Sequence, residues 1–123
     1  MEVTMPEYML LLHASPPDPQ ADRWEQLPLW QEVTDTLRDA GLLVANGPLD
    51  TPETARTVRV RDGETLVTDG PYAVTKEVLV GYYVLDCPSL DEAIAAAARM
   101  PTAASGTVEV RAILDATSAA AGR

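Results

Sequence analysis

Apolar positions along the chain either cluster or alternate with polar ones, and this pattern predicts its strands. Short apolar runs bounded by Gly, Pro, Asn and Asp predict four strands, at 7–14, 42–49, 78–87 and 106–114. Between the second and third of these, Val58 and Val60 alternate with arginines and are followed by Asp62-Gly63. That dipeptide is typical of a two-residue hairpin turn. We therefore predict a β-hairpin over 55–70.

The first predicted helix runs from about 28 to 40. Trp30, Val33 and Leu37 recur there at intervals of three and four residues, which places them on one apolar stripe. Gly41 follows at the position where a helix commonly ends in a left-handed residue. The spacing and the glycine together define both the buried face of this helix and its end.

The second predicted helix lies in "PSLDEAIAAAARM", and its position completes a recognisable order of elements. Ser89 and Glu92 have the spacing of a capping box, and we expect Pro101 to end the helix. The order β-α-β, hairpin, β-α-β is that of an α+β, ferredoxin-like fold with an antiparallel sheet. Right-handed crossovers place both helices on one face. A homodimer is expected to cover the other face, because bare apolar surface is costly.

Composition limits the function classes. The 123 residues, of which 46% are hydrophobic, predict a single folded domain over 1–123, with its core at about 7–114 and a flexible tail at 115–123. A net charge of −10 repels phosphate, so we expect neither nucleic acid nor an anionic membrane as a partner. Cys87 and His13 are the only residues of their types, so we predict no disulfide and no metal site. The chain has no dinucleotide or phosphate-loop motif, so no cofactor is predicted. With no basic leader and no apolar run long enough for a bilayer, a cytoplasmic location is expected.

Two residues are candidate catalytic groups, His13 and Asp69. His13 ends the first strand in phase with Leu11, and it can act as a general base if Asp69 or Glu77 orients it. The alternative is a half-buried histidine bonded to the backbone. Asp69 is either a polar anchor beside a pocket or the first residue of a turn in which Gly70 adopts backbone angles closed to other residues.

Further residues are candidate ligand contacts, namely Tyr72, Lys76, Tyr82, Glu109, Arg111 and Trp30. Each has a structural alternative. Trp30 fits the core, because it lies on the apolar stripe of the first helix. Glu109 and Arg111 share one strand face and fit a solvated or interface ion pair. Tyr82 and its neighbour Tyr83 project to opposite faces of their strand, so one of them should face the dimer side.

Three segments in this order resemble the YCII-related proteins: "EYMLLLHA", "TVRVRDGETLVTDGPYAVTKEVLVGYYVLDCPSLDEAIAAAARMP" and "GTVEVRAIL". More narrowly they resemble the branch named for its Asp-Gly-Pro-Phe motif (the DGPF domain), which here reads Asp69-Gly70-Pro71-Tyr72. The resemblance implies a dimer in which two ferredoxin-like sheets face each other in a barrel-like arrangement. It also implies an association of some members with sigma factors of the extracytoplasmic-function type.

A related YCII branch includes a small-molecule dehydrochlorinase that is thought to use a His-Asp pair. The positions of that pair fall at Trp30 and Met100 in this chain. Neither side chain can transfer a proton, so the chemistry of that branch is not expected here.

Two functions remain as hypotheses. The first is a small dimeric protein that binds a small organic molecule and acts as a cofactor-free lyase or isomerase, with its status as an enzyme left open. The second is a non-catalytic accessory module linked to sigma-factor-dependent transcription. Its acidic surface would then meet a basic protein partner.

Overall fold

The computed structural model describes residues 5–18, 20–22 and 24–115, so most of the expected tail lies outside the described residues. Within these ranges the elements are β1 (Glu7–Ala14), α1 (Leu27–Asp39), β2 (Leu43–Pro48), a 3-10 turn (Pro52–Thr54), β3 (Arg56–Arg61), β4 (Glu64–Asp69), β5 (Val78–Asp86), α2 (Leu90–Ala98), α3 (Pro101–Ser105) and β6 (Thr107–Ala112). None of these helices has the length and apolar character needed to cross a membrane.

Four strands form the main sheet, in the order β2-β5-β1-β6, and every neighbouring pair is antiparallel. This order is compatible with the ferredoxin-like plan that the sequence predicts. The strands β3 and β4 form a separate two-stranded sheet. Asp62 and Gly63 make its turn with φ of 53° and 77°, which confirms the predicted hairpin.

The predicted end of the first helix is confirmed at Gly41. Its φ is 76°, and its amide donates to the carbonyl oxygen of Arg38. The amide of Leu42 donates to the carbonyl oxygen of Leu37 at 3.0 Å. These two bonds satisfy carbonyl groups that the last helical turn leaves without partners.

The second helical region continues beyond its predicted end. Ser89 accepts a hydrogen bond from the amide of Glu92 through its side chain, so the predicted N-cap is present. The expected end of the helix before Pro101 is confirmed, since α2 stops at Ala98, but the sequence did not predict that Pro101 also opens α3. Proline suits a first helical turn, since its missing N–H would have no partner there. Met100 is extended before it, with ψ of 138°.

The hydrophobic core lies between the helices and one face of the main sheet. Its buried members are Tyr8, Leu10, Leu12, Tyr83, Leu85 and Cys87 from the sheet side, and Leu37, Ala93, Ala96, Ala97 and Met100 from the helix side. Trp30 stacks on Tyr83 with ring centroids 6.2 Å apart. The Tyr83 hydroxyl and the Thr34 Oγ1 atom are 2.6 Å apart, which ties α1 to β5.

The other face of the main sheet, here called the open face, is not covered by the helices. Along β1 and β5 the residues alternate between buried and half-buried, so one set of side chains enters the core and the other set faces away from it. The strand pairing assigns to the open face Met9, Leu11, His13, Tyr82, Val84, Thr107, Glu109 and Arg111. The prediction that one face stays uncovered within a single chain is therefore confirmed.

Candidate functional site

His13 lies on the open face at the end of β1, where the strand register changes. A β-bulge between Leu12 and His13 shifts the pairing with β5, so that His13 lies opposite Leu79. On the other side of β1, His13 lies opposite Thr107 of β6. Bulges often occur beside functional sites because they redirect a side chain.

Glu109 and Arg111 continue the row of polar side chains that begins at His13. The Nε2 atom of His13 is 3.7 Å from Oε1 of Glu109, and their side chains are 29% and 40% exposed. The other Glu109 oxygen, Oε2, accepts a hydrogen bond from Nη2 of Arg111. Because Glu109 lies diagonally across the strand pair from His13, the register of β6 on β1 creates this contact.

The carboxylate beside His13 is therefore Glu109, whereas the sequence predicted Asp69 or Glu77. Asp69 pairs with Arg56 across the hairpin, with Oδ1 and Nε 3.1 Å apart, and its side chain is 88% exposed. The Glu77 carboxylate accepts a hydrogen bond from Thr107 Oγ1 at 2.8 Å. Glu77 thus reaches the strand neighbour of His13. The sequence named Glu109 as a ligand contact, but only the register of β6 shows that it is the carboxylate beside His13.

The Asp-Gly-Pro-Tyr segment forms a turn that is tied to the start of the hairpin. Gly70 has φ of 98°, as its predicted turn role requires. Its amide donates to the carbonyl of Ala55 at 2.8 Å, and its carbonyl accepts from Thr57 Oγ1 at 2.9 Å. Tyr72 is 82% exposed, with its ring centroid 6.0 Å from the guanidinium of Arg59.

A surface cavity of about 300 Å³ lies beside this turn. The residues that line it come from the connection after β2, from the segment that follows Gly70 and from the start of β5, namely Leu49, Asp50, Thr51, Pro52, Thr54, Ala55, Pro71, Ala73, Thr75, Val78 and Leu79. Tyr72, the residue of the motif that was predicted to contact a ligand, is not among the residues that line it. The cavity and His13 are neighbours, because Leu79 is the β5 partner of His13.

The remaining predicted contacts are distributed over both faces of the sheet. Tyr82 faces the open side, where its ring covers Gly47, since a Cβ on that glycine would lie 3.1 Å from Tyr82 Cε1. Tyr83 is buried, which confirms that the two tyrosines point in opposite directions. Trp30 packs with Tyr83 on the helix side, so it does not share a face with His13. Lys76 is exposed in the loop before β5.

The helix side offers no second acid–base centre at the positions suggested by the dehydrochlorinase branch. Trp30 stacks in the core, and Met100 is 2% exposed. Cys87 is fully buried, and this burial, together with the carboxylates of Glu92 and Asp86, raises the pKa of its thiol. Within the described ranges, no three His, Cys, Asp or Glu side chains come together as metal ligands do.

Comparison with known proteins shows the family of the chain and a relative of it. The YCII-related domain matches residues 7–117. An uncharacterised protein of Rhizobium meliloti (strain 1021) is 45% identical over 75 residues, which cover 59% of this chain and 60% of that protein. The match therefore spans about three fifths of the relative's length.

Proposed function

The chain belongs to the YCII-related family, and from this we propose that it is a small-molecule-binding protein of the DGPF branch, with its site on the open face. A second copy of the chain covers that face, and His13 transfers a proton in a cofactor-free lyase or isomerase reaction. The observation that carries the proposal is the half-buried contact between His13 and Glu109 in a row that ends at Arg111.

The arrangement of Glu109 suits proton transfer by His13. Once His13 accepts a proton, the carboxylate attracts the imidazolium, while Arg111 holds the far oxygen of the same carboxylate. The 3.7 Å separation exceeds a hydrogen bond. Catalytic contacts are often long in the free protein and shorten when a ligand is bound. In an isomerase, His13 would remove a proton from a carbon acid and return it to a neighbouring atom, so that no oxidant or reductant is needed.

Two uncovered apolar surfaces support the dimer. Met9, Leu11 and Val84 are half-buried on the open face. The hairpin carries Val58 and Val67 opposite each other, 59% and 61% exposed, although a lone two-stranded hairpin is only marginally stable in water. A two-fold dimer would cover both surfaces with the same surfaces of its partner. It would also exclude water from the His13–Glu109 contact and strengthen it.

The dimer can be tested by light scattering over a concentration series. We expect a two-chain mass for the wild type and a smaller mass for Leu11→Asp, which places a charge on the open face. Val74→Asp is the matched control, because Val74 is 96% exposed in the loop before β5. A compact single chain at all concentrations would contradict the proposed dimer.

Ligand binding can be tested by a thermal-shift screen of aromatic and carboxylate compounds. A compound present at 100 times its Kd should stabilise the protein by about 2.7 kcal/mol. If no compound in a broad set raises Tm, the small-molecule proposal loses its basis. The accessory-module hypothesis rests on the acidic charge and on the family association. A pull-down from native cells that specifically recovers a basic protein would then support it.

Catalysis by His13 can be tested on any compound that is turned over. His13→Ala should abolish turnover, and Glu109→Gln should reduce it, while Asp69→Asn tests the carboxylate that the sequence favoured. Unchanged turnover in His13→Ala would remove His13 from the mechanism. Loss of turnover in Asp69→Asn with no effect of Glu109→Gln would reverse the assignment of the orienting carboxylate.

A further inference from the structure

One side of the cavity beside the Asp-Gly-Pro-Tyr turn is formed by the segment that follows Gly70. Alternate residues of the segment 71–75, here called the strap, line the cavity. Pro71, Ala73 and Thr75 line it and are themselves exposed, whereas Tyr72 and Val74, which are 82% and 96% exposed, do not line it. The positive φ of Gly70 sets the direction in which the strap begins. The strap therefore lines the cavity with small side chains.

The polar groups that line the cavity are already engaged within the chain. Thr54 Oγ1 donates to the carbonyl of Thr51 at 2.8 Å, and the Thr75 hydroxyl donates to the carbonyl of Glu77. Asp50 Oδ1 accepts from the amide of Thr51 at 2.7 Å. A hydroxyl has only one proton to donate, so these two threonines keep no donor for an anionic ligand.

Apart from Thr51, whose side chain is hydrogen-bonded to Glu53, the rest of the lining is aliphatic, and it includes Leu49, Pro52, Ala55 and Val78. The one ionisable group of the lining is Asp50, a carboxylate that repels anions. The volume of about 300 Å³ is at the lower end of the range for ligand sites. Since a cavity of about 150 Å³ can hold benzene, there is room here for one substituted ring.

The position of the cavity connects it to His13. Leu79 lines the cavity and lies opposite His13 across the β1–β5 ladder. A group that leaves the cavity over Leu79 therefore arrives at the strand end that carries His13. Glu77, one residue before β5, holds Thr107 on the other side of His13.

We propose that this cavity binds the apolar ring of the ligand, and that the ligand is a compact molecule with one uncharged polar group, such as a hydroxyl or carbonyl, directed towards His13. The part that concerns His13 rests on the proposed function, whereas ring binding stands on the cavity alone. The Asp-Gly-Pro-Tyr motif thereby takes part in ligand selection through Pro71 rather than through Tyr72, and Ala73, which follows the motif, adds to the same lining.

The test is an NMR titration of the full chain with benzyl alcohol as the probe, and with benzoate and benzylamine for comparison. We expect benzyl alcohol to shift the methyl signals of Leu49, Val78 and Leu79, and benzoate to bind at least tenfold more weakly. Shifts confined to methyl groups elsewhere, or benzoate binding as well as the alcohol, would overturn the proposal.

A pair of neighbouring variants gives a second readout. Ala73→Phe fills the cavity and should weaken benzyl alcohol binding at least tenfold, whereas Val74→Phe adds the same ring on the solvent side and should change the Kd by less than twofold. Equal affinity in wild type and a folded Ala73→Phe would refute the cavity as the site. If Ala73→Phe does not fold, the methyl shifts of the wild type decide.

The two proposals can fail separately. One result is that a compound from the thermal-shift screen binds wild type and Ala73→Phe with the same affinity. That result would refute the cavity inference and leave the open-face function intact. The opposite result is that benzyl alcohol binds in the cavity and that turnover is the same in wild type and His13→Ala. It would refute the role of His13 and leave the cavity inference intact.

Discussion

Gly106, between α3 and β6, lies so close to β1 that no larger residue should be accommodated there. A Cβ atom on Gly106 would lie 2.3 Å from the carbonyl oxygen of His13 and 3.2 Å from the Cα of Ala14. The φ of Gly106 is −139°, outside the left-handed region, and the lack of space for a Cβ atom is the property that a substitution tests. Gly106→Ala therefore tests how tightly the end of β1 is held against β6.

The expected cost follows from the size of the overlap. Ordinary contacts of a Cβ atom begin at 3.4 Å, so the new methyl group would overlap the oxygen by about 1 Å. Because that oxygen belongs to the backbone, no rotamer change relieves the overlap, and β6 must move away from β1. Overpacking typically costs about 1–3 kcal/mol, and we expect about 2–3 kcal/mol here. For a chain of this length, Tm should fall by roughly 6–12 °C.

Urea unfolding followed by circular dichroism measures this cost. Ser105→Ala is the control, because residue 105 is the exposed neighbour of Gly106, and its substitution should change the free energy of unfolding by less than about 0.5 kcal/mol. The amides of Thr107 and His13, which are paired across the ladder, should shift in NMR spectra of Gly106→Ala. A Gly106→Ala protein as stable as the control would show that β1 and β6 are not in the close contact described.

Three further predictions concern single groups. Tyr83→Phe removes the bond to Thr34 and should cost about 1 kcal/mol in urea unfolding; no loss would mean that the bond adds nothing. Asp69→Asn breaks an exposed ion pair with Arg56 and should cost less than about 0.5 kcal/mol; a larger loss would give this pair a structural role. Burial raises the pKa of the Cys87 thiol from its ordinary value of 9.0. The folded state therefore holds that proton more tightly, and its stabilising effect is present below this value and lost above it. Wild type should lose more stability than Cys87→Ala between about pH 8 and about pH 10, and equal losses would contradict the burial of the thiol.

Elements with local chemical signals were predictable from the sequence. Asp62-Gly63 fixes a hairpin turn because both residues tolerate positive φ, and both have it. Gly41 and Ser89 mark helix ends because each satisfies backbone groups that a helix leaves without partners. Pro101 shows the limit of such signals. A proline that can end one helix can equally begin another, and here it begins α3.

The candidate site depended on information that short segments do not carry. Glu109 meets His13 because β6 pairs with β1 in one register, and a shift of one residue would turn Glu109 to the other face. Asp69 and His13 both looked catalytic in isolation, yet the hairpin gives Asp69 a partner in Arg56. The alternation of the strap was also not predicted, because it lies outside any regular strand or helix.

The strand order also determines when the chain can fold during synthesis. Each ladder of the main sheet includes β5 or β6, the last two strands of the described chain, and β2 pairs with β5 alone. During synthesis β1 therefore has no partner strand, and its apolar side chains stay exposed, until at least residue 86 has left the ribosome. Pairing of segments so distant in sequence slows folding. During that interval the nascent chain has exposed apolar side chains and unpaired strand edges, which are the features that make incomplete chains prone to aggregate.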